Sequence, residues 1–233
     1  MALRSPRHPK VALLRDLSHD ARARRDRGLF VVDGPVLVAE ALDAGVEILD
    51  VFWVDGRVPS TLIDRVVRTG AGRHEVAGDT LTRATDPATP QGVAAIARSA
   101  TLPTADPTAL PDGPVVALDG VAEPGNVGTI LRSAEAAGAT AVLVGSGSAD
   151  PTAPKVVRAS AGSRFRVPVA VGGLGDLLGA LPEAVTVLGV APGRGAVLDT
   201  VDLTHPVALV LGSEAHGISA GGGDAVGGWA QIP

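Results

Sequence analysis

From Val115 onward the chain alternates short, wholly apolar runs with stretches of helical periodicity, and this alternation narrows the fold more than any other feature. The runs VVALD, AVLVG, FRVPVA, VTVLGVA and PVALVLG lack alternate polar residues, so each suits a strand covered on both faces. Helices are expected between them at 128–138, 153–161 and 174–181. Parallel neighbours need long crossovers, and helices in that position give an α/β, doubly wound parallel sheet.

Upstream, SATLPTADPTALPDGP (residues 99–114) holds four prolines and no apolar period, which marks a linker. Residues 1–98 precede it with strand and helix signals in GLFVVDGPVLVAEALDAG, ILDVFWV and QGVAAIA, the pattern of a small α/β domain. The expected organisation is therefore a domain at 1–98, a linker at 99–114 and a parallel-sheet domain at 115–233.

Composition removes several classes of function. There is no Cys, so disulfides, thiolate zinc sites and cysteine nucleophiles are excluded. Three Phe, two Trp and no Tyr make a poor stacking platform for single strands. No apolar run approaches the roughly 18 residues of a membrane span, and no signal peptide is visible, so a soluble, cytoplasmic protein without a membrane partner is expected. The net charge of −5 hides an asymmetry. Residues 1–30 hold eight Lys and Arg against three Asp, a balance of +5, and the remainder carries −10. A basic arm that meets a phosphate backbone accounts for this through Arg22, Arg24 and Arg25; a solvated helix face accounts for it equally well.

Ligands of open parallel sheets bind beyond the carboxyl ends of the strands. Three glycine-rich turns fall there: DGVAEPGNVG, GVAPGRG and GSEAHG. Their glycines allow backbone to approach a ligand. No P-loop, zinc spacing or G-x-S-x-G elbow occurs. GSGSAD offers a weak dinucleotide signal. In the first turn, Asn126 reads as a helix N-cap, and Val127, Ile130, Leu131 and Ala134 form the buried stripe. Arg132 lies off that stripe, either as a surface cation paired with Glu135 or as a functional group.

The stretch NVGTILRSAEAAGA resembles motif 1 of the SpoU (TrmH) family of SPOUT RNA methyltransferases, and LVLGSEAHGIS resembles its motif 2. KVVRASAGSRFRVPV is similar to the family's connecting segment, QIP to the start of motif 3, and HPKVALLRDLS, FVVDGPVLVAEAL and TPQGVAAIA to its substrate-binding domain. The resemblance implies an S-adenosylmethionine-dependent ribose 2′-O-methyltransferase. Its catalytic sheet would be tied into a trefoil knot and would work as a homodimer on RNA, ribosomal RNA ahead of transfer RNA. It places catalysis on Arg132, Asn126 and Glu214, and cofactor contacts on the backbone of Gly189, Val190, Gly212 and Ile232. His216 reads as an incidental loop residue. Arg158, Ser160 and Arg164 are candidates for a phosphate contact or for helix-end electrostatics. Family members continue beyond QIP with a closing segment. The expectation is therefore a longer natural protein, with motif 3 and the knot incomplete here and weak cofactor binding and dimerisation. Two other readings are a non-catalytic RNA-binding relative and a nucleotide-dependent oxidoreductase using GSGSAD.

Overall fold

At the start of the chain the stripe Val11, Leu14 and Leu17 gives one helix a buried face, α1 (Pro9–His19), with Pro9 in its first turn and His8 as its cap. In this computed structural model, which describes residues 5, 7–85, 91–111 and 113–232, a second short helix follows, α2 (Ala21–Arg27). Asp20 caps α2, and Gly28 ends it in the left-handed region at φ 63°.

The chain then builds a four-stranded sheet from β1 (Leu29–Asp33), β2 (Ile48–Trp53), β3 (Gly72–Glu75) and β4 (Val93–Arg98), in the order β1-β4-β2-β3. Only the β2–β3 pair is parallel. Both faces are covered. Phe30 and Val32 pack with Leu37, Val38, Leu62 and Ile63 from α3 (Pro35–Asp43) and α4 (Ser60–Val67). Val31 and Phe52 pack with Leu14, Leu17 and Leu81, the last from α5 (Gly78–Ala84). Successive side chains of a strand point to opposite faces, so adjacent residues of β1 serve the two clusters.

The second sheet uses β5 (Val115–Asp119), then helix α6 (Pro124–Ala136), and β6 (Ala141–Gly145). After a further helix α7 (Pro154–Ala159) come β7 (Val169–Gly172), α8 (Leu174–Gly179), β8 (Thr186–Val190), β9 (Ala196–Val197), β10 (Val207–Gly212), α9 (Ala220–Gly223) and β11 (Gly228–Gln231). All seven strands are parallel, in the order β7-β6-β5-β10-β8-β11-β9. The five strands expected from apolar runs are present, joined by two short ones, β9 and β11. The run FRVPVA is displaced: Phe165 ends a 3-10 turn and the strand begins at Val169.

The chain divides into two compact units, and the division differs from the expected boundaries. Residues 103–151 and 166–233 form the second unit, but 152–165, which contain α7, belong with 1–102. The cause is apolar packing: Val157 and Phe165 are buried in the cluster that contains Phe30, with the Phe30 and Phe165 rings 6.4 Å apart. The proline-rich stretch is also structured. Leu102 closes the first unit's core, while Thr104 bridges to Val169 at the edge of the second sheet. Asp112 of the expected linker, and Thr89 and Pro90 of the TPQGVAAIA stretch, lie outside the described residues. Among the described residues no helix is long and apolar enough to cross a membrane.

Candidate active site

The sheet order reverses between β5 and β10. Strands β6 and β7 build outward on one side of this pair, and β8, β11 and β9 on the other. Loops leaving the carboxyl ends of such a pair diverge and open a crevice. A cavity of about 570 Å³ lies there, walled by residues 120–123 after β5, by Asn126, Thr129 and Ile130 of α6, and by residues 211–216 at the end of β10.

Its two walls are built by different local rules. On the first, Glu123 rather than Asn126 caps α6, accepting from the Gly125 N–H at 3.3 Å. This corrects the expected N-cap. A capping side chain is turned back on its own helix, whereas Asn126, inside the first turn, is free to reach out. Its Nδ2 donates to Glu214 Oε1 at 2.9 Å, across 88 residues of chain. On the second wall, Ser213 and Gly217 bond to each other twice, N–H to carbonyl both ways at 3.0 and 2.9 Å. That clamp pushes Glu214, Ala215 and His216 outward as a tip.

The clamp explains the glycines. A Cβ on Gly212 would lie 2.2 Å from the Gly217 carbonyl carbon, and Gly217 itself has φ +68°. Similarly, a Cβ on Gly189 would meet the Trp229 ring at 2.8 Å. These two glycines, expected to bring backbone to a ligand, first of all let the chain approach itself.

Sequence reading missed three supporting groups. The buried Asp119, last residue of β5, accepts from the Ser219 N–H at 2.7 Å and fixes the exit of the GSEAHG loop. The Ser148 hydroxyl accepts from the Val121 N–H at 3.1 Å, and the Val121 carbonyl in turn accepts from Ala149. GSGSAD therefore braces the first loop of the cavity, an employment unrelated to a dinucleotide. A carboxylate closing an apolar run was the one visible signal, at Asp119. The carboxyls of Asp106 and Asp202 are held below the ordinary range by the hydroxyl and then the backbone N–H of Thr108 and Thr204, and both lie outside the cavity.

The other expected residues fall as follows. Arg132 is exposed on α6, does not line the cavity, and its side chain makes no hydrogen bond or ion pair among the described residues. The alternative of an Arg132–Glu135 pair is not formed; Glu135 bonds the Arg166 guanidinium. Gly212 lines the cavity; Gly189 and Val190 sit within β8, paired to β10 and β11, and Ile232 is 64% exposed beyond β11. His216 lines the cavity, its N–H donating to Ser213 Oγ.

In the first unit the described part of the basic arm is mostly the helices α1 and α2, with Arg24 its one buried cation among the described residues. Arg24 is a correction: it is 5% exposed and donates to the Leu17 carbonyl at 2.9 Å, which ties α2 to α1. Arg22 pairs with Asp26 and Lys10 with Asp50, while Arg25 is exposed and Arg4 lies outside the described residues. Arg158 donates to Asp33 at 2.9 Å. Ser160 is fully buried and bonds the Val157 carbonyl, and Arg164 is 5% exposed. In this arrangement neither of those two is presented to an RNA surface.

Known proteins resemble this chain in sequence and in fold. Residues 113–233 match the SpoU rRNA Methylase family, and residues 8–95 match the MRM3-like substrate binding domain. The chain belongs to the SpoU rRNA methylase family. It is 32% identical, over 87% of its length and 78% of the relative's, to the 23S rRNA (guanosine(2553)-2′-O)-methyltransferase RlmP of Bacillus subtilis. Over 45% of its length it is 43% identical to the 23S rRNA (guanosine-2′-O-)-methyltransferase RlmB of Xanthomonas axonopodis, covering 43% of that protein. The AdoMet-bound rRNA methyltransferase of Sinorhizobium meliloti superposes with a TM-score of 0.86 at 29% identity, covering all of this chain and 88% of that one.

Proposed function

We propose that the chain is an S-adenosylmethionine-dependent methyltransferase acting on a ribose 2′-hydroxyl of structured ribosomal RNA. The observation that carries this reading is the Asn126–Glu214 hydrogen bond, which joins the loops of the two family motifs across the cavity at the switch point. The cavity suits a nucleoside-sized ligand: about 570 Å³, with Val121, Ile130 and Leu211 as apolar wall and Asn126 and Glu214 as polar groups. The backbone of Gly212, of Gly189 and Val190 at the end of β8, and of Ile232 just after β11 would hold the cofactor. When bound, S-adenosylmethionine supplies a methyl group on a sulfonium, open to attack by a ribose oxygen.

The chain's own residues must favour the hydroxyl's deprotonated form and hold it in line. A guanidinium offers hydrogen-bond donors and no acceptor, so Arg132 acts by stabilising the developing alkoxide rather than as a base. Asn126 and Glu214 fix the two loops relative to one another, so that the ribose meets a set surface. The exposed, unpaired Arg132 side chain supports a homodimer in which this arginine completes its site across the subunit interface. A trefoil-knotted catalytic sheet and a cytoplasmic location belong to the same reading.

Incubation with methyl-labelled S-adenosylmethionine and ribosomal RNA should label RNA at a ribose 2′-oxygen, read as a position resistant to alkaline cleavage. Calorimetry should show binding of S-adenosylmethionine and none of NAD. NAD binding without cofactor binding, or labelling confined to bases, would overturn the proposal.

A further inference from the structure

The first unit contains a cavity of its own, about 350 Å³ in volume, apart from the turns of motifs 1 and 2. Its walls include Ser18 and His19 at the end of α1, Arg24 on α2, Asp33 at the end of β1, and Lys155 and Arg158 on α7. Its lining holds the cations Arg24, Lys155 and Arg158 and the carboxylate of Asp33, which is 3% exposed and bonded by Arg158 at 2.9 Å. Arg24 is almost wholly buried here, an uncommon place for a guanidinium.

The distribution of charge gives this cavity its context. The first unit holds 17 Lys and Arg against 13 Asp and Glu, a balance of +4; the second holds 3 against 12, a balance of −9. A polyanion is therefore drawn to the first unit and repelled by the second. The segment 152–165 brings Lys155, Arg158 and Arg164 to the first unit and contains no acid. Phosphates supply most protein–nucleic acid contacts, and arginine offers them a fixed fork of donors.

We propose that this cavity seats one phosphodiester of the RNA substrate, held by Lys155 and Arg158, and so sets affinity without touching the methyl transfer chemistry. The inference rests on the RNA-methyltransferase reading but concerns a different site.

Lys155 is the residue to change, because it is exposed and its replacement leaves the core intact. In the full chain, RNA affinity is measured across a potassium chloride series for the unaltered protein, for Lys155→Gln and Lys155→Glu, and for Arg83→Gln. Arg83→Gln removes the same charge from α5, outside the cavity. Lys155→Gln should weaken RNA binding several-fold and lower the salt slope by about 0.7–0.9, the share of one phosphate. Lys155→Glu should do more, and Arg83→Gln almost nothing. Thermal melts of all four proteins should coincide. If Lys155→Gln behaves like Arg83→Gln, the phosphate seat is wrong. Titration with adenosine monophosphate distinguishes the source: no saturable binding below millimolar is expected. Tight binding that Lys155→Glu abolishes would assign the cavity to a free nucleotide and overturn the RNA assignment. Failure of the methyltransferase reading looks different, since the unaltered chain would then transfer no methyl group.

Discussion

The two units have nearly the same length and almost opposite means of working. Four of the five aromatic residues, Phe30, Phe52, Trp53 and Phe165, lie in the first unit, together with most of the cations. The second unit holds 21 of the 30 glycines and only Arg132, Arg166 and Arg194 as cations. One unit therefore depends on large side chains and charge, and the other on backbone brought close to backbone. Charge acts over a Debye length, about 8–10 Å at ordinary salt, and tolerates imprecise placement. Chemistry at a strand end does not, and glycine-clamped loops are how this chain achieves placement. Affinity for RNA and catalysis should thus be separable by mutation.

Arg132→Ala tests that separation with the largest effect. The side chain is exposed and bonds nothing in the described structure, so the melting temperature should stay within a degree or two. Methyl transfer should fall by about 10²–10³-fold, the usual loss on removing one group that stabilises transition-state charge. Single-turnover transfer with saturating RNA checks it. Activity within a few-fold of the unaltered chain would make Arg132 a surface residue without a part in methyl transfer.

Gly212→Ala probes the backbone side of the comparison. A methyl group 2.2 Å from the Gly217 carbonyl carbon cannot be accommodated by rotating a side chain. The Ser213–Gly217 clamp must open, at a cost of about 1–3 kcal/mol, and Glu214 should leave Asn126 with it. Gly221→Ala, in the same unit with open space around it, should instead stabilise by up to about 1 kcal/mol. Denaturant midpoints read both. Equal effects would mean that close backbone approach is not what these glycines supply.

How much of this was legible in sequence follows from the same contrast. The strands β5, β6, β8 and β10 were legible because burial on both faces leaves an apolar run. By contrast, β3 (GRHE) and β11 (GWAQ) carry no such run and become strands by pairing with β2 and β8. The motif residues Asn126, Glu214 and Gly212 were found by resemblance, and two of the three bond as a pair. The Asp119–Ser219 and Val121–Ser148 bonds were hidden, since each joins residues far apart in sequence. Transfer of 152–165 to the first unit was hidden for another reason. Its apolar residues, Val157 and Phe165, suit either core, and only the fold shows which one takes them.

The Asn126–Glu214 bond predicts a smaller, more specific effect. A side-chain hydrogen bond of this kind contributes about 1–3 kcal/mol when one partner is charged. The bond is open to solvent, with Glu214 exposed and Asn126 half-buried, which places it at the low end. Asn126→Ala and Glu214→Ala should each reduce kcat, and the double variant should be less than the product of the two, by about five- to tenfold. Independent effects would show that the loops are positioned separately. RNA affinity, which the proposed phosphate seat assigns to the first unit, should not change in any of the three.

Arg25 and Arg27 give the smallest expected effect and the finest test of the basic unit. Both lie exposed in the last turn of α2, and neither makes a side-chain ion pair among the described residues, unlike Arg22 with Asp26. If each meets a phosphate, changing both to Gln should lower the salt slope of RNA binding by about 1.4–1.8, twice the share of a single contact. At moderate salt the affinity should drop only a few-fold. Cofactor affinity should not move. The same change removes two cations from a helix C-terminus, worth about 0.3–1 kcal/mol each, so melts must accompany the binding curves. Arg24→Gln serves as the contrast: its guanidinium holds the Leu17 carbonyl inside the unit, so it should lower stability more than the exposed pair does. A salt slope unchanged by the Arg25 and Arg27 substitutions would make that helix end a solvated face, and would confine the first unit's grip on phosphate to its cavity.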